Sequence, residues 1–138
     1  MPNDSAAPLA FPAQAYAQMI GEAYDRYPLE ACGLLVGKGA TVHRFVACSN
    51  EALSARVYTI PGKELLRAEI AAEDDGLEII GVFHSHTHSE PYPSPTDVAQ
   101  APDPGWYYVI VSLKREAPEP RCYRIVDESI AEVPIGVG

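Results

Sequence analysis

Two histidines separated by one residue mark the part of the sequence best suited to chemistry. Three of the four histidines lie within residues 84–88, directly after the dense apolar run 77–83. Residues two apart in a strand project to the same face, so His84 and His86 present two imidazoles side by side. Two neutral imidazoles at this separation are typical of zinc sites. The pair therefore predicts a metal site at the end of a strand.

A third metal ligand is expected from the segment that follows. Asp97 is the candidate, because the loop over residues 87–93 can fold back and bring the next helix to the strand end. Two histidines and one carboxylate leave the fourth position of a tetrahedral zinc ion open for water, as catalytic sites do. The pattern favours one catalytic zinc ion per chain.

The same segment also has an interpretation that needs no metal. Ser94 and Asp97 stand in an S-x-x-D pattern with Pro95 at the first helical position, which is typical of a capping box. A serine at a helix start can cap the helix and still turn its hydroxyl toward a metal-bound water. Capping and metal binding are therefore compatible, and the neighbouring histidines favour the metal.

The elements that must position these residues follow from hydrophobic periodicity. Apolar residues at three- and four-residue steps predict a helix from Ala13 to Tyr27, ended by Pro28. Its apolar side would consist of Ala13, Tyr16, Ala17, Ile20 and Tyr24. A second helix is predicted over residues 63–73 and closed by Gly76, with Leu65, Leu66 and Ile70 on one side.

Strands are predicted by short β-rich runs between turn residues. Residues 34–36 and 41–47 predict a hairpin, and further strands are predicted over residues 57–60, 77–83, 106–112, 121–126 and 129–133. This order predicts an α/β (α+β) single domain with a mixed β-sheet. Residues 1–10 are expected to form a flexible N-terminal tail, and residues 11–138 the domain.

Composition limits the classes of partner and the cellular compartment that we expect. The formal net charge of −9 argues against nucleic acid and against an anionic membrane surface, since both recruit Lys and Arg clusters. No apolar run approaches the length of about 20 residues that a spanning helix needs. Three cysteines at irregular spacing suit reduced thiols, and the start of the sequence does not resemble a secretory signal. We expect a cytoplasmic protein, whose oligomeric state the sequence leaves open.

These residues together resemble a known family. The spacing His84-x-His86-x₇-Ser94-x₂-Asp97 reproduces the motif of the JAMM (MPN-plus) zinc metallopeptidases. The segment from Pro28 to Gly37 is similar to the upstream glutamate segment of their short prokaryotic members. Further segments resemble actinobacterial members of the family, namely Ala31-Cys32-Gly33, Pro91-Tyr92-Pro93-Ser94, Thr96-Asp97-Val98 and Tyr123-Arg124-Ile125-Val126-Asp127.

The resemblance implies a JAB1/MPN domain of cytidine-deaminase-like fold, with a role for each motif residue. His84, His86 and Asp97 would be the zinc ligands, Glu30 the general base, and Ser94 the support for the oxyanion. The residues alone single out Glu30 only because it opens an uncharged run, residues 31–37. The actinobacterial members remove cysteine from a ubiquitin-like sulfur carrier protein, which implies a partner with a Gly-Gly C-terminus.

Two other functions are compatible with parts of the pattern. His84-x-His86-x₃-Glu90 also fits the first motif of cupin metal enzymes, but no later histidine follows His88 to complete such a site. A noncatalytic MPN scaffold would keep the fold without the metal, although every motif position is filled here. Cys32 beside Glu30 could be a nucleophile, but its small apolar neighbours favour a buried structural thiol.

Overall fold

The computed structural model describes residues 8–138, which form eight strands and three helices. In chain order these are β1 (Leu9–Phe11), α1 (Ala13–Arg26), β2 (Cys32–Lys38), β3 (Thr41–Cys48), α2 (Gly62–Asp74), β4 (Glu78–His86), α3 (Pro95–Ala99), β5 (Tyr107–Ser112), β6 (Glu119–Val126), β7 (Ser129–Val133) and β8 (Ile135–Val137). Within residues 8–138, no helix combines the length and the apolar character needed to cross a membrane.

All eight strands belong to one sheet, in the order β7-β6-β5-β4-β2-β3-β1-β8. β4 and β5 run parallel, as do β1 and its neighbours β3 and β8, whereas the remaining pairs are antiparallel. The predicted α/β (α+β) class with a mixed sheet is therefore confirmed. The strand that carries the two histidines lies in the interior of the sheet, between β2 and β5.

The helices cover opposite faces of the sheet. α1 packs on the face where Leu9, Met19 and Phe83 form one buried cluster. α2 covers the other face, where its Ala68 packs in a second cluster with Val82 and other apolar side chains. Because alternate strand residues share a face, the residues two and four positions after Val82 also project toward the α2 side. His84 and His86 therefore lie on the same face of the sheet, the face that α2 covers.

The predicted hairpin and both long helices are confirmed, but the buried faces of the helices are not the predicted ones. The buried residues are Ala15, Met19 and Ala23 in α1, and Ala68 and Ala72 in α2. Tyr24, Leu66 and Ile70 are about half exposed, at 48%, 56% and 53%. Small alanines let each helix approach the sheet closely, which leaves several larger apolar side chains at the flanks.

The two ends of the described chain pair with each other, which the sequence did not predict. Leu9 and Ala10 were assigned to the flexible tail but lie in β1, parallel to Ile135 and Gly136 of β8. Leu9 is fully buried, so its burial favours an ordered strand there. Residues 1–7 of the predicted tail lie outside the described residues.

The prediction of a strand over residues 57–60 was wrong. These residues belong to an irregular segment between β3 and α2, residues 49–61. Their backbone groups bond to one side chain instead of to a neighbouring strand: Asn50 donates to the carbonyl of Val57 and accepts from the amide of Thr59. A β-rich composition alone could not distinguish this arrangement from a paired strand.

Candidate metal centre

Three potential ligand atoms converge where β4 ends. The Nε2 atoms of His84 and His86 lie 3.2 Å apart. Oδ2 of Asp97 lies 3.2 Å from the first of these nitrogens and 3.0 Å from the second. Both histidines are buried, and the side chain of Asp97 is only 9% exposed. The three residues form a group that could hold a metal ion.

The size of this triangle fits a single zinc ion. Tetrahedral ligands at about 2.0 to 2.1 Å from zinc lie about 3.3 Å from one another. The observed separations of 3.0 to 3.2 Å are close to that value. Two imidazoles and a carboxylate are also a donor set that zinc peptidases use, and they leave one position for water. The residues therefore fit the ion in both size and chemistry.

The capping box at α3 delivers the carboxylate. The Ser94 amide donates to Oδ2 of Asp97 at 2.9 Å, and the Asp97 amide donates to Oγ of Ser94 at 3.0 Å. The Asp97 oxygen that accepts from the Ser94 amide is thus the same atom that faces both histidines. Both sequence interpretations of this segment hold together, because capping fixes the carboxylate in the orientation that metal binding would need.

The loop between β4 and α3, residues 87–94, is fastened to the neighbouring strands. Oγ of Ser112 donates to the carbonyl of Ser89 at 2.6 Å, and the Tyr123 hydroxyl donates to the carbonyl of Pro91 at 2.5 Å. These bonds turn the chain back toward the end of β4. They explain how a ligand eleven residues beyond His86 reaches the histidines.

The electrostatics of the site favour an ionised Asp97 and a neutral His84, whereas the pKa of His86 is raised: burial lowers it, but hydrogen bonds to Asp97 and to the Glu90 carbonyl outweigh burial. Burial alone would raise the pKa of Asp97, but hydrogen bonds from His84 and His86 outweigh it and hold that pKa below its ordinary value. Burial lowers the pKa of His84. Nδ1 of His86 donates to the Glu90 carbonyl at 2.8 Å, which leaves Nε2 to face Asp97. An ionised carboxylate and neutral imidazoles are the forms that bind a metal.

Glu30 is a buried carboxylate beside this triangle. It lies two residues before the start of β2, it is 3% exposed, and its Oε1 has no hydrogen-bond partner among residues 8–138. Burial raises the pKa of Glu30 to about 8. The side chain lines a cavity together with His86 and Ser94. An unpaired buried carboxylate is costly unless a water or a ligand completes it, so its position is suited to proton transfer.

Ser85 ties the glutamate segment to the histidine strand. The Ala31 amide donates to Oγ of Ser85 at 2.8 Å, and the Ser85 amide donates to the Ala31 carbonyl at 3.0 Å. The serine between the two histidines therefore fixes the residue next to Glu30. Sequence reasoning did not assign it this role, because the bond joins segments 54 residues apart.

Tyr58 packs directly on one of the potential ligands. Its ring stacks on the imidazole of His84 at a centroid distance of 4.4 Å and an interplanar angle of 17°. Nδ1 of His84 is buried and has no hydrogen-bond partner within residues 8–138. Ligand histidines are commonly oriented by a hydrogen bond from their second nitrogen. Here ring stacking is the contact that orients His84.

Asn50 organises the irregular segment 49–61 around the site. Its amide nitrogen donates to the carbonyls of Glu30 at 3.1 Å and Val57 at 3.0 Å, and its oxygen accepts from the amides of Ala52 and Thr59. The Glu30 amide in turn donates to the Ser54 carbonyl at 2.8 Å. No local motif marks Asn50 in the sequence, since its partners are Glu30, 20 residues away, and irregularly spaced positions of its own segment.

Two cavities lie near the ligand triangle, one lined in part by His86 and the other by Tyr58, which stacks on His84. The polar cavity, of about 470 Å³, is lined among others by Glu30, Arg56, His86, His88 and Ser94. The apolar cavity, of about 220 Å³, is lined among others by Leu34, Tyr58, Ile60, Leu65, Val82 and Trp106. Tyr58 separates the apolar cavity from His84. A substrate that crosses the metal centre would therefore meet an apolar surface on one side and a charged one on the other.

The remaining sequence candidates lie apart from the ligand triangle. The Glu90 carboxylate points away and pairs with Lys114 and Arg115 at the surface, so the cupin ligand set is not assembled. Cys32 is fully buried, and burial raises the pKa of its thiol to about 12, which does not suit a nucleophile. His88 is exposed and borders the polar cavity.

Comparison with known sequences identifies the family. Residues 12–126 match the family described as prokaryotic homologs of the JAB domain. The chain is 37% identical to the CysO-cysteine peptidase of Mycobacterium tuberculosis over 122 residues, which cover 86% of this chain and 84% of that relative. It is also 39% identical to the desampylase of Haloferax volcanii over 88 residues, which cover 62% of this chain and 63% of that relative.

Comparison with solved structures gives the same result for the fold. The solution structure of protein DSY2949 from Desulfitobacterium hafniense superimposes with a TM-score of 0.82 at 29% sequence identity, and covers 94% of this chain and 92% of that one. The chain therefore belongs to the prokaryotic JAB family and is a peptidase of the JAMM metalloprotease type, built as a single JAB/MPN domain.

Proposed function

We propose that the protein is a zinc-dependent peptidase that cleaves after the C-terminal Gly-Gly of a ubiquitin-like sulfur carrier protein. The product would be cysteine or a short C-terminal extension, in cysteine biosynthesis or related sulfur metabolism in the cytoplasm. The observation that carries this proposal is the convergence of His84, His86 and Asp97 beside the buried, unpaired carboxylate of Glu30. The similarity to a CysO-cysteine peptidase and to a desampylase supports this substrate class.

His84, His86 and Asp97 would hold one zinc ion through two Nε2 atoms and one Oδ2 atom. Bound zinc supplies a water with a pKa near 7 and polarises the scissile carbonyl. Glu30 lines the same cavity as His86, so its carboxylate can accept the proton of the attacking water. The same carboxylate then donates that proton to the leaving amine, and the low polarity around Glu30 favours its protonated form between the two steps.

Ser94 is proposed to stabilise the oxyanion. Its Oγ accepts the Asp97 amide, which leaves the hydroxyl proton free to donate to a developing negative charge. The capping box fixes the position of Oγ before the substrate arrives. Oγ of Ser94 would thus cap helix α3 as a hydrogen-bond acceptor and stabilise the oxyanion as a hydrogen-bond donor.

A Gly-Gly tail suits the space around the ligands. Tyr58, Glu30 and Ser94 surround the triangle closely, so residues without side chains pass most easily beside it. The apolar cavity next to Tyr58 can receive apolar side chains further up the tail. An extended tail could in addition form backbone hydrogen bonds with the protein, independent of its side chains.

Mass spectrometry of a carrier ending in Gly-Gly-Cys tests the proposal. The carrier is incubated with the zinc-loaded enzyme, with and without o-phenanthroline. We expect the loss of one cysteine, blocked by the chelator. An intact carrier together with cleavage of linked ubiquitin chains would contradict the proposed substrate, and the absence of any metal-dependent hydrolysis would favour a noncatalytic scaffold.

A further inference from the structure

The polar cavity contains a positive charge that the proposed mechanism does not use. Arg56 borders it together with Glu30, His86 and Ser94. The protein has only ten Lys and Arg residues against nineteen Asp and Glu. Arg56 is exposed to solvent, so its guanidinium can bind an anionic group that enters this cavity.

Arg56 has no carboxylate partner among residues 8–138. Five other basic residues each form a salt bridge within 4.0 Å, namely Arg26, Arg44, Lys114, Arg115 and Arg121. No salt bridge or side-chain hydrogen bond within the described chain includes the guanidinium of Arg56. Its donors are therefore available to a ligand in the cavity.

The backbone that carries Arg56 is held in place. Oγ of Ser54 accepts from the amides of Arg56 and Val57 at 3.0 and 3.3 Å. The carbonyl of Ala55 accepts from the Thr87 hydroxyl at 3.0 Å, one residue beyond the end of β4. Together with the bonds of Asn50, these contacts fix the base of the Arg56 side chain relative to Glu30 and His86.

His88 is engaged in contacts of its own beside this cavity. The Thr87 hydroxyl donates to the Ala55 carbonyl, so it accepts from Nδ1 of His88 at 2.9 Å. Nε2 of His88 lies 3.3 Å from the Tyr27 hydroxyl. Among the residues that line this cavity, Arg56 is the one that carries a permanent positive charge.

The chemistry of the leaving group indicates what Arg56 binds. Glu30 must reach the amine that leaves, so the released residue lies on the Glu30 side, in the polar cavity. If that residue is the C-terminus of the substrate, its α-carboxylate lies within about 4 Å of the leaving amine, because one Cα joins them. A lysine linked through its side chain carries no such charge near the bond.

We propose that Arg56 binds the α-carboxylate of the residue released from the carrier. This inference rests on the proposed function and sharpens it: the enzyme selects a single C-terminal residue with a free carboxylate over an isopeptide-linked lysine. Arg56 is then a specificity-determining residue that contacts the substrate without taking part in proton transfer.

Paired substrates test this inference. Two carriers ending in Gly-Gly-Cys are prepared, one with a free C-terminal carboxylate and one with a C-terminal amide. We expect wild-type kcat/KM to favour the acid by about 10- to 100-fold, mainly through KM, as a charge-assisted hydrogen bond would give. Arg56→Gln should bring the ratio of the two substrates close to one, and Arg56→Lys should restore part of it.

Arg67→Gln is the matched control, because it removes the same charge from an exposed position outside the polar cavity. It should keep the wild-type ratio. Equal kcat/KM of the wild type for acid and amide, or an unchanged ratio in Arg56→Gln, would overturn the role of Arg56 and leave the proposed function intact. If the zinc-loaded wild type cleaves neither carrier, the proposed function fails and this inference fails with it.

Discussion

Two segments form the ligand triangle and its surroundings, and their conformations depend on different kinds of interaction. Residues 84–97 contain a strand end and a capped helix, which can both be read from local spacing, and a loop between them that bonds to β5 and β6. Residues 49–61 form no regular element and are held by the side chain of Asn50. The first segment would bind the metal, whereas the second supports Glu30 and carries Arg56. Local sequence therefore identifies the three candidate ligands, and tertiary contacts bring them together and build their surroundings.

The largest effect on zinc content and turnover is expected from replacing a candidate ligand in residues 84–97. Replacing any ligand by alanine, for example His86→Ala or Asp97→Ala, removes one of three converging atoms. Zinc occupancy should fall sharply and turnover should be lost with it, which metal analysis and carrier cleavage would measure together. Full zinc content and full turnover in His86→Ala would show that the ligand assignment is wrong.

The next largest effect on turnover is expected for Glu30, and it distinguishes a general base from a metal ligand. Glu30→Gln keeps the shape of the side chain but cannot accept a proton, so kcat should fall by about 10² to 10⁴ while zinc and fold are retained. Glu51→Gln, an exposed position in the irregular segment, is the control. Wild-type turnover in Glu30→Gln would remove Glu30 from the mechanism.

A smaller effect is expected from Ser94, where capping and chemistry meet. Ser94→Ala should lower stability by about 1 kcal/mol through the lost cap, and kcat by up to about 10² to 10³ if the hydroxyl serves the oxyanion. Thermal unfolding and single-turnover kinetics distinguish the two losses. A variant that loses stability but keeps kcat would leave Ser94 with the capping role alone.

The smallest effect on turnover is expected in the irregular segment. Asn50→Ala removes the partner of the buried Glu30 carbonyl and of several partly buried backbone groups, and should lower the free energy of unfolding by about 1 to 3 kcal/mol. Zinc content should stay close to wild type, because the ligands belong to the other segment. Asn50→Asp keeps the oxygen that accepts from the amides of Ala52 and Thr59 but loses the NH₂ donor. It should therefore separate the effect of the accepted bonds from that of the donated bonds. Loss of zinc in either variant would mean that the two segments are not independent.

The contrast between the segments also explains what the sequence could predict. The mixed sheet and the long helices followed from periodicity. The spacing of the residues identified the histidine pair and Asp97. The pairing of Leu9 with Ile135 could not be predicted from the sequence, because these two residues are 126 positions apart.

Packing and long-range contacts account for the other differences. The buried sides of α1 and α2 were mispredicted because close packing selected alanines over the larger apolar residues. The stacking of Tyr58 on His84 and the bonds of Asn50 join segments that no local pattern connects. Glu30 was singled out chiefly through the family resemblance, since its burial beside the triangle arises only in the fold.

Metal analysis of the purified wild-type protein tests whether the ligand triangle is a zinc centre. We expect about one zinc ion per chain, lost on treatment with o-phenanthroline and absent from Asp97→Ala. Stoichiometric zinc that remains in Asp97→Ala, or wild-type protein that purifies without bound zinc and takes none up, would contradict a catalytic zinc centre at His84, His86 and Asp97. Stoichiometric iron would instead point to a different class of metal enzyme.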